Sequence, residues 1–290
     1  MFEGVYTALV TPFDKQEELD ERALRDLVDF QIDNGVQGLV PCGTTGESPT
    51  LDYKEHERVI QIVVDQAAKR VPVIAGTGSN CTKEAINLTR AARHDGASAS
   101  LQVAPYYNKP TQEGFYQHFT AVADAVDIPL IIYNIPGRTG KNIENATMLK
   151  LARHRNITAV KEASGDIAQI MDLMMHKPDS FTVLSGDDNL VFPLMALGGK
   201  GVISVASNLI PDKMVAFVSA ALKENWVQAR DSHYRLLPFF KALFFETNPI
   251  PIKFGLALKG MIQETYRLPM YRMQEENKKR FEAIVQQLGL

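Results

Sequence analysis

The sequence predicts an α/β fold: a (β/α)8 TIM barrel with a small C-terminal helical extension. Three observations predict it. Short β-branched runs alternate with amphipathic helical stretches, eight such runs recur, and the alternation stops near residue 224. Strand–helix alternation implies a parallel sheet covered by helices. Eight units favour a closed barrel over an open doubly wound sheet. The open sheet is the alternative, and it is disfavoured because no GxGxxG follows the first strand and no Walker motif is present. The expected division is a catalytic barrel over residues 1–224 and a helical region over 225–290.

The first four runs read as strands are VYTALVTPF (5–13), VQGLVPCG (36–43), VPVIAGTG (71–78) and SASLQVAP (98–105). The next four are IPLIIYNIP (128–136), ITAVKEAS (157–164), FTVLSGD (181–187) and GVISVAS (201–207). They are separated by roughly 20–35 residues, as βα units require. Between the first two, residues 20–35 offer Asp20 as an N-cap and Gly35 as a stop. Residues 82–96 start on Thr82 and stop at Gly96 in the same way. YKEHERVIQIVVDQAAKR, EGFYQHFTAVADAV and ATMLKLARHR carry the helical period as well. Past residue 224, WVQARDSHYRLLPFFKALFFE, PIKFGLALKGMIQ and QEENKKRFEAIVQQLG read as helices with no strand between them.

Composition narrows the function. The chain has 290 residues, 45% of them hydrophobic, and 31 basic against 34 acidic residues, a net charge of −3. Such a balance creates no field for nucleic acid or an anionic membrane. The N-terminus lacks a basic n-region and a long apolar h-region, so no signal peptide is expected. No stretch is apolar for long enough to span a bilayer. Cys42 and Cys81 are the two cysteines, too few for a disulfide framework. The expectation is a cytoplasmic protein.

In a barrel of this class the chemistry sits at the C-terminal ends of the strands. GTTGE (43–47), YNIPGRTG (133–140), Lys161 and SGDD (185–188) all fall there. Lys161 lies in an apolar run and shares its strand face with Ala159 and Ala163, which leave room around an amine. Desolvation lowers a lysine pKa, and a neutral amine can form a Schiff base with a carbonyl. The plainer alternative is a lysine paired with a buried carboxylate, Glu162 or Asp187. Tyr133, at the end of the neighbouring strand, suits a proton shuttle, against a simple core tyrosine. GTTGE brings two hydroxyls and closely spaced N–H groups that suit a carboxylate or oxyanion, against an ordinary βα turn. Arg138 offers a guanidinium fork for a carboxylate.

No metal site and no cofactor are expected. His56, His94, His118, His154, His176 and His233 are scattered, with no HxH or HExxH. Asp187 and Asp188 are adjacent and on a strand would point opposite ways. Cys42 reads as a small core residue. GGKGVISV (198–205) is similar to the glycine-rich phosphate loops of some barrels, though its glycines suit tight turns equally.

GTTGE, YYNKP, YNIPGRTG, AVKEASG and SGDD occur in the order expected of the dihydrodipicolinate synthase (4-hydroxy-tetrahydrodipicolinate synthase) family, within the class I pyruvate-dependent aldolase superfamily. The resemblance runs from VYTALVTPF to NPIPIKFGLALKG. It implies a lyase of lysine biosynthesis, on the diaminopimelate route, that condenses pyruvate with L-aspartate 4-semialdehyde. By the resemblance, Lys161 forms the imine; Tyr133, Thr44 and Tyr107 form the proton relay, with Tyr107 supplied by an adjacent subunit. The Thr45 backbone holds the pyruvate carboxylate, Arg138 binds the semialdehyde carboxylate, and Gly186 and Ile203 line the site through their carbonyls. A dimer is the minimal unit and a tetramer the expected homo-oligomer. An allosteric L-lysine site is implied at Ser48, Pro49, Tyr53, His56, Asn80, Glu84 and Tyr106. Lysine-sensitive relatives often carry a small residue and a histidine where this chain has Pro49 and Tyr53. N-acetylneuraminate lyase and other sugar-acid aldolases or dehydratases share GTTGE-like and YNxP elements. The loop PGRTG, with Arg138, suits a small acidic aldehyde better than a sugar chain. A non-catalytic ligand-binding barrel, with Lys161 merely paired, is the reading from a different class.

Overall fold

The computed structural model describes residues 2–290. Eight parallel strands form the barrel: β1 (Gly4–Ala8), β2 (Gly38–Val40), β3 (Ile74–Gly76), β4 (Ala99–Val103), β5 (Leu130–Asn134), β6 (Ile157–Glu162), β7 (Thr182–Ser185) and β8 (Gly201–Ser204). They are hydrogen-bonded in the order β2-β1-β8-β7-β6-β5-β4-β3. A parallel bridge between Leu39 and Val73 joins the two ends of that series and completes the ring. The Leu39 N–H also donates to the Pro72 carbonyl at 3.1 Å, and the Gly76 N–H to Pro41 at 2.9 Å.

The helices are α1 (Glu21–Asp33), α2 (Tyr53–Ala67), α3 (Thr82–His94), α4 (Gln112–Ala125), α5 (Pro136–Thr139) and α6 (Asn145–Leu151). They continue as α7 (Ile167–His176), α8 (Val191–Ala196), α9 (Pro211–Leu222), α10 (Trp226–Ala242), α11 (Ile250–Leu258) and α12 (Glu275–Leu288). Asp20 caps α1 as its position suggests, accepting from the Ala23 N–H at 2.9 Å. Thr82 does not cap α3. It is the first helical residue, Cys81 stands before it, and the Thr82 hydroxyl bonds His118 Nδ1 on α4 at 2.9 Å instead. Gly35 and Gly96 follow α1 and α3 at φ 83° and 95°, where a side chain would be strained.

Buried strands of a parallel barrel are apolar on both faces, which is why their sequences read as near-continuous apolar runs. In β5, Ile131 and Tyr133 point into the barrel, while Leu130 and Ile132 pack outward under the helices. In β6 the pairing skips Thr158, so Ile157 faces outward and Ala159 inward. Ala159, Ala163, Ile131, Leu101, Ile74 and Ile203 belong to the interior core.

The C-terminal helices share the barrel's outer hydrophobic cluster. Phe239 and Phe240 of α10, Phe254 of α11 and Phe281 of α12 pack with Phe217 of α9 and Leu24 of α1. The GGKGVISV reading as a phosphate loop is overturned. This loop precedes β8 and lies at the N-terminal face of the barrel, opposite the chemistry. A Cβ on Gly201 would fall 2.0 Å from the Gly4 carbonyl oxygen, and one on Gly199 would fall 2.0 Å from Leu194 Cδ2. The glycines there serve close packing.

Candidate active site

Register places the two central residues. Tyr133 and Lys161 are direct partners across β5 and β6, so their side chains lie side by side on the inner face. Lys161 Nζ sits over the Tyr133 ring, 4.1 Å from its centroid, and each residue is about 5% exposed. Burial pulls the Lys161 amine down from 10.5 to about 8; Asp187 and Asp188 oppose the shift, and Arg138 adds to it. Burial also pushes the Tyr133 hydroxyl up, reinforced by Asp187, while Arg138 and a hydrogen bond with the Thr44 side chain pull it back. Tyr133 is therefore a neutral phenol at physiological pH, able both to give and to take a proton within a relay.

β7 ends at Ser185, so Asp187 and Asp188 lie past the strand, with Asp188 opening a 3-10 turn. The charges of both oppose the lowering of the Lys161 pKa. Asp188 Oδ2 accepts from the Val205 and Ala206 N–H groups at 3.0 and 2.9 Å. Asp187 is pushed up to about 6 by burial, with Lys161 opposing. Glu162, the other carboxylate weighed as a partner for Lys161, faces away. It accepts from the Ser164 N–H at 2.6 Å and from Asn134 Nδ2 at 3.2 Å.

Gly186 leaves space for the lysine. A Cβ there would lie 2.7 Å from Ala163 Cβ and 3.1 Å from Lys161 Cγ. Ile203 is fully buried on β8 among the interior residues.

The GTTGE turn follows β2. Cys42 just before it and Glu47 at its end adopt φ 56° and 52°, and the Gly46 and Glu47 N–H groups donate back to Gly43 and Thr44, both at 3.1 Å. Among the described residues, the Thr44 and Thr45 N–H groups donate to no acceptor within the chain. The Thr45 hydroxyl accepts from Asn248 Nδ2 at 3.0 Å, and the Asn248 carbonyl accepts from Arg138 at 3.3 Å. Asn248 was not singled out from the sequence. It lies two hundred residues beyond the turn, in the NPIPIK segment that marks the end of the family resemblance. Cys42 is buried in the outer cluster and its thiol is pushed up by burial, as suits a core residue.

A cleft of about 640 Å³ reaches the Thr44 and Tyr133 edge of this site, and Lys161 is not among its lining residues. Thr44, Tyr133 and Arg138 line one part; Ser48, Pro49, Tyr53, His56, Glu84 and Tyr106 line the other. Glu84 is hydrogen-bonded by the Ser79 and Tyr53 hydroxyls, which hold its carboxyl below the usual range. His56 Nε2 meets the Gly76 carbonyl at 2.8 Å, and burial lowers its pKa. Asn80 donates to the Tyr106 carbonyl at 3.2 Å. The residues expected to form a lysine site are thus neighbours. Tyr107 follows Tyr106 but does not line the cleft. It is 89% exposed at φ 71°, and its loop is held to Asn80 through Asn108 Nδ2 at 2.9 Å.

The profile of the dihydrodipicolinate synthetase family matches residues 1–288. The chain belongs to that family. A curated relative from Syntrophus aciditrophicus (strain SB), named 4-hydroxy-tetrahydrodipicolinate synthase, is 54% identical over 290 residues, covering 100% of this chain and 99% of that protein. Dihydrodipicolinate synthase from Aquifex aeolicus superposes with a TM-score of 0.98 at 49% identity, over 100% of this chain and 99% of that one. The enzyme from Cyanidioschyzon merolae, solved with lysine bound, superposes at 0.97 with 39% identity, over 100% of this chain and 99% of that one. The family's barrel architecture is the one described above, and no helix among the described residues is long and apolar enough to cross a membrane.

Proposed function

We propose that Lys161 carries a 4-hydroxy-tetrahydrodipicolinate synthase activity, condensing pyruvate with L-aspartate 4-semialdehyde through a Schiff base. The observation that carries this reading is the register of Lys161 beside Tyr133, with the amine desolvated at the C-terminal mouth of a barrel. The neutral amine attacks the pyruvate carbonyl carbon, and water leaves to give the imine. The imine acidifies the pyruvate methyl, a proton departs, and the enamine carbon attacks the aldehyde. The amino group of the semialdehyde then attacks the imine carbon, closes the ring and frees Lys161. Tyr133 and Thr44 move protons between these steps, and the free Thr44 and Thr45 N–H groups hold the pyruvate carboxylate. Holding two charged substrates in one orientation supplies much of the acceleration.

Borohydride trapping with pyruvate, followed by a peptide map, tests the reading. A single adduct on the peptide carrying Lys161 supports it. A folded protein without adduct makes Lys161 a structural partner of Asp187 and ends the synthase reading. The Arg138 guanidinium stands at the mouth as the receptor for the semialdehyde carboxylate. Arg138→Ala should raise the KM for semialdehyde about 10- to 100-fold, as expected for a charge-assisted pair, and leave pyruvate trapping almost intact. Steady-state kinetics beside trapping decides this, and equal loss of both removes the assignment.

Tyr107 is exposed on its own barrel, and by the family resemblance it completes the relay of a second copy, in a homodimer within a tetramer. Tyr107→Phe should slow turnover at least about tenfold without altering the thermal melt. Unchanged activity would remove the cross-subunit relay. The lysine region supports feedback control: Glu84 receives the effector ammonium, and Asn80 and Tyr106 receive its carboxylate. Here Tyr53 already bonds Glu84, so lysine must compete with that hydroxyl. Activity should fall across a millimolar lysine titration, and a flat curve would refute the site.

A further inference from the structure

Glu47 closes the GTTGE turn, and its side chain runs into the protein rather than toward the cleft. Lys253, from α11, donates to Glu47 Oε1 at 2.5 Å, with both side chains sealed from solvent at 0% and 1% exposure. The Phe13 and Tyr266 rings flank Nζ, at 4.4 and 5.4 Å to their centroids. Among the described residues, Glu47 Oε2 has no hydrogen-bond partner.

A buried ion pair stabilises a fold little relative to apolar side chains of the same volume, because both charges must leave water. What such a pair does supply is a fixed distance between two backbones. Here one backbone is the turn that presents Thr44 and Thr45. The Glu47 N–H donates to the Thr44 carbonyl at 3.1 Å, so displacement of Glu47 moves the Thr44–Thr45 peptide directly. Thr11 Oγ1 ties the Gly46 carbonyl at 2.6 Å, and Asn248 ties the Thr45 hydroxyl. Successive residues 45, 46 and 47 are each anchored from elsewhere in the chain, and Lys253 supplies the one charged anchor.

We propose that Lys253 is a positioning residue for keto-acid binding: through Glu47 it sets the turn so that the Thr44 and Thr45 N–H groups meet the substrate carboxylate. This rests on the reading that those N–H groups bind the pyruvate carboxylate. Lys253 itself touches no substrate.

The test is the double variant Glu47→Gln with Lys253→Met, which removes both charges together and leaves neither one buried alone. Borohydride trapping is run on the full-length protein across a pyruvate series, with circular dichroism and thermal melts in parallel. The expected result is an adduct still on Lys161, with half-saturating pyruvate raised about tenfold or more, as for a weakened charge-assisted contact. The semialdehyde KM and the kcat at saturating pyruvate should change far less. A folded double variant with wild-type half-saturation overturns the proposal. Wild-type protein that gives no adduct fails the imine reading instead, which is a separate outcome. Glu47→Gln alone, which keeps the Lys253 hydrogen bond, should give a smaller rise in half-saturation. If neither variant folds, the pair is an element of folding, and the positioning role is overturned.

Discussion

Lys161→Met should abolish turnover and, at the same time, raise the stability of the protein. The activity loss is expected to be on the order of 10⁴-fold or more, the scale seen when a covalent nucleophile is removed. No imine can form, so pyruvate and borohydride leave the variant's mass unchanged. The stability gain follows from the same desolvation that activates the amine. Charging Lys161 inside the barrel is harder than charging it in the unfolded chain, since its value falls from 10.5 to about 8. Below about 8 the amine is protonated in both states, and the full cost, on the order of 3 kcal/mol, weakens the fold. As pH rises from about 8 toward 10.5, the folded state releases its proton first, and this cost disappears. Methionine keeps the apolar stem and drops the charge. Its melting temperature should exceed the wild type by several degrees at pH 7, and the difference should shrink toward pH 10. A variant that melts lower at pH 7 would show that the ammonium is stabilised in place by Asp187 and Asp188. In the wild type, trapping at low pyruvate should accelerate with pH and level off above about 8. Asp187, raised to about 6, titrates together with the lysine, so the apparent values belong to the pair.

Tyr133→Phe should lower kcat by about 10²- to 10³-fold while leaving the trapped adduct on Lys161. The ring stays, and so does the face over which Nζ lies at 4.1 Å. Only the hydroxyl is lost, and with it the proposed proton transfer between Thr44 and the reacting carbons. The cost in stability should be about 1 kcal/mol, the worth of one buried hydrogen bond, so the melt should barely move. Rapid-quench trapping separates the roles: imine formation slows, and condensation slows with it. If kcat is unchanged, proton movement does not pass through Tyr133. If the adduct disappears while the fold survives, the phenol is needed to bring pyruvate to the amine.

Much of the site was legible because its markers are local. Lys161 stood out as a charge in an apolar strand, and period-two alternation put it with Ala159 and Ala163, where the inner core has them. Tyr133, Arg138 and the GTTGE turn were singled out by their place at strand ends. Errors came where a local rule met a tertiary contact. Thr82 resembled a cap, yet its hydroxyl is bound to His118. Asp187 and Asp188 were expected to diverge as strand neighbours, yet the strand stops before them. The glycines before β8 resembled a phosphate loop, yet they admit Gly4 and Leu194. Asn248 and Lys253 carried no local signal, since an asparagine before proline and a lysine in a helix are ordinary.

By itself the sequence determined the alternation of eight strands with helices, the lysine on the inner face of the sixth strand, and the family. Each depends on periodicity or on the order of short motifs, which neighbouring residues settle among themselves. Only the tertiary structure decided that Lys161 lies against Tyr133, that Ala163 and the lysine stem leave no room for a side chain at Gly186, and that α11 anchors the GTTGE turn. Those contacts join residues up to 206 positions apart. They exist because closing the ring brings strand ends, turns and the C-terminal helices to one mouth, where a buried charge must find its partner wherever the chain has placed one.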